Sequence, residues 1–241
     1  MTSPALRTEP MQIIHDHMLV ERDGRLAILD TGIPDSMVAP EVVSEVLGVP
    51  VDRLIGCAEL ARSPLTIDWP GRLIVHGAVP APGATLVTLS RAAFGIPLIP
   101  VHTPLGRVDA ALDTGAALSY APPEAVRGLA PVREAEDFLP GLGNFTVDVY
   151  KLDIRVGGIP LEVEFGVMPP LLRMALSMLC PGGWILGSAL FRDRVVTLDL
   201  ARSEIHVGHS GINDATAAAG GAGVLATAIR DERATAVRGP S

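Results

Sequence analysis

Two aspartates in this chain stand in the same local sequence, Leu29-Asp30-Thr31-Gly32 and Leu112-Asp113-Thr114-Gly115, each at the end of an apolar run. Brought face to face, two carboxyls can share one proton and hold and activate a single water molecule. The flanking residue types suit that chemistry. A β-branched threonine can send its hydroxyl to the backbone of the opposite loop and lock two loops together. Glycine permits close backbone approach and exposes N–H groups to a carboxylate. One Asp-Thr-Gly suits any tight turn after a strand. Here each copy is followed later by two apolar residues and a glycine, Leu54-Ile55-Gly56 and Ile185-Leu186-Gly187, so the half-site is repeated as a unit. Asp30 and Asp113 are the candidate catalytic pair, with Thr31, Gly32, Thr114 and Gly115 as their supporting loops.

The elements that must position this pair are themselves duplicated. Asp30 aligns on Asp113 at an offset of 83, and Gly56 on Gly187 at an offset of 131. From there Gly56–Gly77 runs without a gap against Gly187–Gly208, with identities at Ala58/Ala189, Thr66/Thr197, Asp68/Asp199 and Ile74/Ile205. The second half therefore carries 48 more residues between its two motifs. Each half reads as strands. Met18–Val20 and Leu26–Leu29 flank an Asp23-Gly24 turn, and Leu98–Val101 and Val108–Leu112 flank Pro104-Leu105-Gly106. A short helix is expected at Pro40–Leu47, ended by Gly48. The extra residues read as a hairpin, Phe145–Val156 and Leu161–Val167 around Gly157-Gly158, with Asp137–Phe145 as a mobile loop tip. Asp68 and Asp199 read as structural turn residues. The expectation is an all-β, bilobal fold with pseudo-twofold symmetry, comprising a first lobe over 1–90 and a second over 91–208. Residues 209–241, rich in alanine and glycine, read as a disordered tail with a weak helix at Val224–Val237.

Bulk properties narrow the choice. At 241 residues, 48% of them apolar, the chain can bury a sizeable core. Its 25 glycines and 21 prolines favour short strands and turns over long helices. A formal net charge of −8 without a basic cluster argues against nucleic-acid binding. No apolar run approaches the roughly 20 residues of a membrane span, and Met1–Met11 shows no signal-peptide pattern. A cytoplasmic protein with reduced thiols is expected, Cys57 and Cys180 having no metal or redox spacing. His15 and His17 alternate on a strand without a third ligand and read as solvated positions, so no metal and no cofactor are expected. No GxSxG, HExxH, dinucleotide or phosphate-loop motif is present.

At this point the chain resembles the pepsin-like and retropepsin-like aspartic peptidases. The resemblance rests on Leu29–Gly32, Leu54–Gly56, Leu112–Ala116 and Trp184–Leu190. Val195–Asp199 with Ile205–Gly208 adds the look of the strands that close such a lobe. It implies that Asp30 and Asp113 activate a water that hydrolyses a peptide bond, with Thr31 and Thr114 bracing the loops. One copy of the motif per lobe implies a working monomer. Trp184, Phe145 and Tyr150 are then candidate substrate contacts. The chain also departs from the pattern. Ile33-Pro34 follows the first Asp-Thr-Gly, and a proline without an N–H implies a differently shaped first loop. Only 24 residues separate Asp30 from Leu54, too few for a flap in the first lobe, so a flap is expected from Arg133–Tyr150 instead. The substrate is a polypeptide or, in the alternative, a small molecule turned over by the same pair as an acid–base cyclase, dehydratase or isomerase. A non-catalytic peptide-binding module is the third reading.

Overall fold

The strand that carries Asp30 is buried on both faces, and the rest of the first half is arranged around that fact. In the computed structural model, which describes residues 6–77, 80–139, 143–177 and 180–208, the hairpin His17–Arg22/Arg25–Leu29 closes through Asp23 and Gly24. Both turn residues take positive φ, 54° and 75°, as the right-handed twist of a two-residue hairpin requires. Met18, Val20, Ala27 and Leu29 point into the main core. Leu19 and Ile28 point the other way, joining Leu47, Val51 and Leu54 in a second cluster under the helix Glu41–Leu47. That helix ends as expected at Gly48, in the left-handed conformation with its N–H on the Ser44 carbonyl. The tail over 209–241, with the helix expected at Val224–Val237, lies outside the described residues.

The protein is all-β and bilobal. Its described strands form one sheet of ten and one of eight. Each aspartate-bearing strand runs parallel to the strand ending in the apolar-apolar-Gly motif: Leu29 lies beside Ile55, and Leu112 beside Leu186. A chain that leaves one strand and re-enters beside it in parallel must loop across, and that loop presents Asp-Thr-Gly at the sheet end.

The two halves meet in the ten-stranded sheet. Val195–Asp199 pairs antiparallel with Leu65–Asp68, and Glu204–Val207 continues the sheet to Thr85–Thr88. Residues 195–207 therefore hydrogen-bond to first-half strands. The register centres on Thr66 opposite Thr197, with Leu65 opposite Leu198 and Ile67 opposite Val196. Since 65/196, 66/197 and 67/198 are repeat mates, a local twofold axis passes between the two threonines, whose buried hydroxyls are 2.7 Å apart. Asp68 and Asp199 serve as turn residues, accepting the N–H groups of Gly71 and Arg202.

The second half carries the longer hairpin. Gly143–Val156 pairs with Ile159–Val167 and, at its other end, with Arg133–Leu139. The expected mobile tip over Asp137–Phe145 needs correction, because the ladder continues through Asp137/Phe145, Phe138/Asn144 and Leu139/Gly143. Only residues 140–142 at its end lie outside the described residues. Asp137 is tethered on both sides, accepting the Tyr120 hydroxyl and the Phe138 N–H.

Candidate active site

Asp30 and Asp113 follow their strands at equivalent points: the Asp30 N–H donates to the Ile55 carbonyl and the Asp113 N–H to the Leu186 carbonyl, at 2.9 and 3.0 Å. One oxygen of each carboxyl accepts the N–H of the glycine two residues on, Gly32 or Gly115, at 2.9 Å. Each glycine also packs against the opposite aspartate. A Cβ on Gly32 would fall 2.4 Å from Asp113 Oδ2, and one on Gly115 would fall 2.6 Å from Asp30 Cγ. Only glycine leaves room for the two carboxyls to face each other across the loops.

The threonines lock the arrangement. Thr31 N–H donates to Thr114 Oγ1 at 3.0 Å and Thr114 N–H to Thr31 Oγ1 at 2.9 Å. The Thr31 hydroxyl then donates to the Leu112 carbonyl at 2.6 Å, and that of Thr114 to the Leu29 carbonyl at 2.8 Å. Both side chains are fully buried, so these bonds compete with no water.

Two supporting residues were missed in the sequence. Ser36 Oγ accepts the Gly56 N–H at 3.1 Å, and Ser119 Oγ accepts the Gly187 N–H at 3.0 Å. Each serine is six residues past its aspartate, so the offset of 83 would have found them. Gly56 and Gly187 are forced by the crossing chain: a Cβ there would meet the Asp35 carbonyl carbon at 2.6 Å or the Ala116 carbonyl oxygen at 2.5 Å. The loop at Ile33-Pro34 keeps one crossing bond of its mate and differs beside it: Ala116 N–H closes a turn on the Asp113 main-chain carbonyl, a bond that Ile33 does not make to Asp30. Cys57 N–H on the Ile33 carbonyl (3.0 Å) matches Ser188 N–H on that of Ala116 (2.9 Å), and Pro34 contributes only its carbonyl, to Ala58 N–H.

Burial raises both carboxyls above the ordinary aspartate range. For Asp30, held well above it, burial is followed by repulsion from Asp113 and opposed by the Gly32 N–H. For Asp113, burial and the Asp137 charge act against the N–H groups of Gly115 and Ala116. Burial also pushes the Cys57 and Cys180 thiols up to about 11, so both stay protonated at neutral pH. The reading of His17 as solvated is corrected. Its side chain is half-buried near Gly115 and Asp137, and burial keeps it below its usual range. Among the described residues, no cluster of His, Cys, Asp and Glu has a metal-binding arrangement.

The three aromatic candidates separate. Phe145 is half-buried in the hairpin opposite Asp137, its ring centre 6.4 Å from that of Tyr120. Tyr150 lines a groove with Arg127, Leu129 and Val167 that contains neither aspartate. Trp184 is a core residue, 4% exposed and edge-on to Phe165, so its expected substrate contact is corrected: the T-shaped packing occupies the ring.

No family model and no curated protein matches the chain. Among solved structures it is similar to the protease of simian foamy virus (mac), at 20% identity over 33% of this chain and 93% of that one, with a TM-score of 0.25. It is also similar to the foamy viral protease–reverse transcriptase in complex with an RNA/DNA hybrid, at 20% identity over 34% of this chain and 12% of that one, with a TM-score of 0.27. A third similar structure is an aspartic proteinase from Irpex lacteus, at 10% identity over 88% of this chain and 99% of that one, with a TM-score of 0.49.

Proposed function

We propose that the protein is an aspartic endopeptidase in which Asp30 and Asp113 are the catalytic residues. The observation that carries this reading is the mutual approach of the two carboxyls, each packed on the other's glycine and fixed by the crossed threonine bonds. Each carboxyl accepts one backbone N–H, Asp30 from Gly32 and Asp113 from Gly115, both at 2.9 Å. These donors favour an ionised carboxyl while burial and mutual repulsion oppose two charges, so the pair shares one proton. The ionised carboxyl then accepts a proton from a water held between them as that water attacks the scissile carbonyl. The protonated one donates to the carbonyl oxygen and polarises it. Strand-rich walls beside the pair suit an extended polypeptide bound through its backbone.

The test is incubation of the full chain with a peptide library from acid to neutral pH, beside Asp30→Asn and Asp113→Asn. Cleavage lost in both variants supports the peptidase. Cleavage unchanged in either one removes that aspartate from the reaction.

A further inference from the structure

Toward its tip the long hairpin of the second half leaves its sheet. The strand Gly143–Val156 pairs with Ile159–Val167 only from Val149 onward. Residues 143–148 pair with Arg133–Leu139 alone, and that strand is the last of its sheet. The result is a two-stranded arm, a structure that is marginal by itself in water. Ala135, Phe145 and Val147 pack its inner face on the core, and Arg133 ties its base to Glu164 at 2.8 Å. Past that base, among the described residues, one polar bond joins the arm to the body: the Tyr120 hydroxyl donates to the Asp137 carboxylate.

Tyr120 is a fixed post. Its backbone pairs with Gly166 on one side and Ile185 on the other. Its ring is 4% exposed and lies on Gly166, where a Cβ would fall 2.9 Å from it. Ser119, just before it, accepts the N–H of Gly187, which packs on the Ala116 carbonyl. Burial and the Asp137 charge hold the phenol far above its usual range, so it stays a donor at neutral pH and below. The other Asp137 oxygen accepts the Phe138 N–H at 2.7 Å. The arm is thereby referred to the frame of the second Asp-Thr-Gly loop. Asp137 shares a cavity of about 660 Å³ with Ala117 and Leu118, just past that loop, and its charge is felt at Asp113.

We propose that Asp137 is a positioning residue: its bond to Tyr120 sets the angle of the arm, and the arm forms one wall of the substrate groove. The inference rests on the peptidase reading and adds to it the element that holds substrate in place. Asp137 acts through Tyr120 and not on the reacting atoms.

Two measurements on the full-length Asp30→Asn chain test this apart from the chemistry. The first is hydrogen exchange. Amides of Arg133–Leu139 are expected to exchange about tenfold faster once Tyr120→Phe or Asp137→Ala is added. The second is binding of labelled octapeptides from a library, followed by fluorescence anisotropy. Those that bind the parent chain are expected to bind either variant about tenfold more weakly. Asp137→Asn keeps one acceptor oxygen and should fall between. A bond that only stabilised the fold would lower the melting temperature and leave Kd unmoved. Unchanged Kd in Tyr120→Phe and Asp137→Ala, a loss in both Asp137 variants that Tyr120→Phe does not share, or binding of no peptide overturns the inference. If the variants weaken binding as expected but wild type cuts no peptide, the peptidase reading alone fails. If wild type cuts peptides and the variants bind them as tightly as the parent chain, the positioning role alone fails.

Discussion

Thr31 and Thr114 exchange hydrogen bonds reciprocally: each backbone N–H donates to the other's hydroxyl, and each hydroxyl donates to the carbonyl just before the other's aspartate. Four bonds thus bind the two loops, and all four depend on two side-chain oxygens. Thr114→Val keeps the shape but strands the Thr31 N–H and the Leu29 carbonyl in a dry interior. Unsatisfied buried groups cost about 1–3 kcal/mol each, so a chemical denaturation curve should show a loss of roughly 2–5 kcal/mol. Thr114→Ser, which keeps the oxygen, should recover most of it.

Gly32 and Gly115 govern the spacing of the carboxyls rather than the stability of a turn. An alanine methyl at Gly32 would lie 2.4 Å from Asp113 Oδ2 and must push that side chain away. Gly32→Ala and Gly115→Ala should each lower kcat by about a hundredfold or more, since small misplacements of reacting groups cost that much. KM should change little. A variant with unaltered kcat would show that the facing geometry is not what the reaction uses.

The aspartate pair makes stability depend on pH with a definite sign. Both carboxyls are raised above their unfolded values, so the folded chain holds protons more tightly than the unfolded one. Their stabilising contribution is complete below the ordinary aspartate range near 3.9 and is lost as pH climbs through the raised values. Asp30→Asn and Asp113→Asn remove this penalty. Melting temperatures of both variants should exceed wild type at pH 7, by a few degrees (about 2–4 °C per kcal/mol for a chain of this size), and the gap should close toward pH 4. A gap that widens toward acid would contradict the buried, mutually repelling pair.

Thr66 and Thr197 offer a double-mutant cycle on the local twofold axis. Their hydroxyls are 2.7 Å apart and buried, so either single change to valine leaves the other hydroxyl alone. Each single variant should lose about 1–2 kcal/mol, and the double variant less than the sum, because the orphan disappears with its partner. Strict additivity would mean that the two oxygens do not interact.

How far this was legible in the sequence depends on range. The Asp-Thr-Gly loops, the Asp23-Gly24 hairpin and the helix ending at Gly48 follow from local residue chemistry and were placed correctly. The pairing of Val195–Asp199 with Leu65–Asp68 was not, although both had been aligned as repeat mates. Strand alternation is the same whichever sheet receives the strand, so it records a face and not a neighbour. Ser36 and Ser119 escaped because a serine in a polar loop has many uses, and only the offset of 83 singles out these two. Trp184 was misplaced for a related reason: motif proximity put it beside the site, whereas packing against Phe165 turned it inward. His17 looked like an ordinary polar strand residue until the second half arrived to cover it.

The closing strands have a consequence for how the protein comes into being. Leu65–Asp68 and Thr85–Thr88 do not touch each other; the hairpin of residues 195–207 stands between them. During synthesis the first half must therefore wait with an open seam in its sheet until residues 195–207 have left the ribosome. The aspartate pair, whose loops come from both halves, is likewise unassembled throughout that interval.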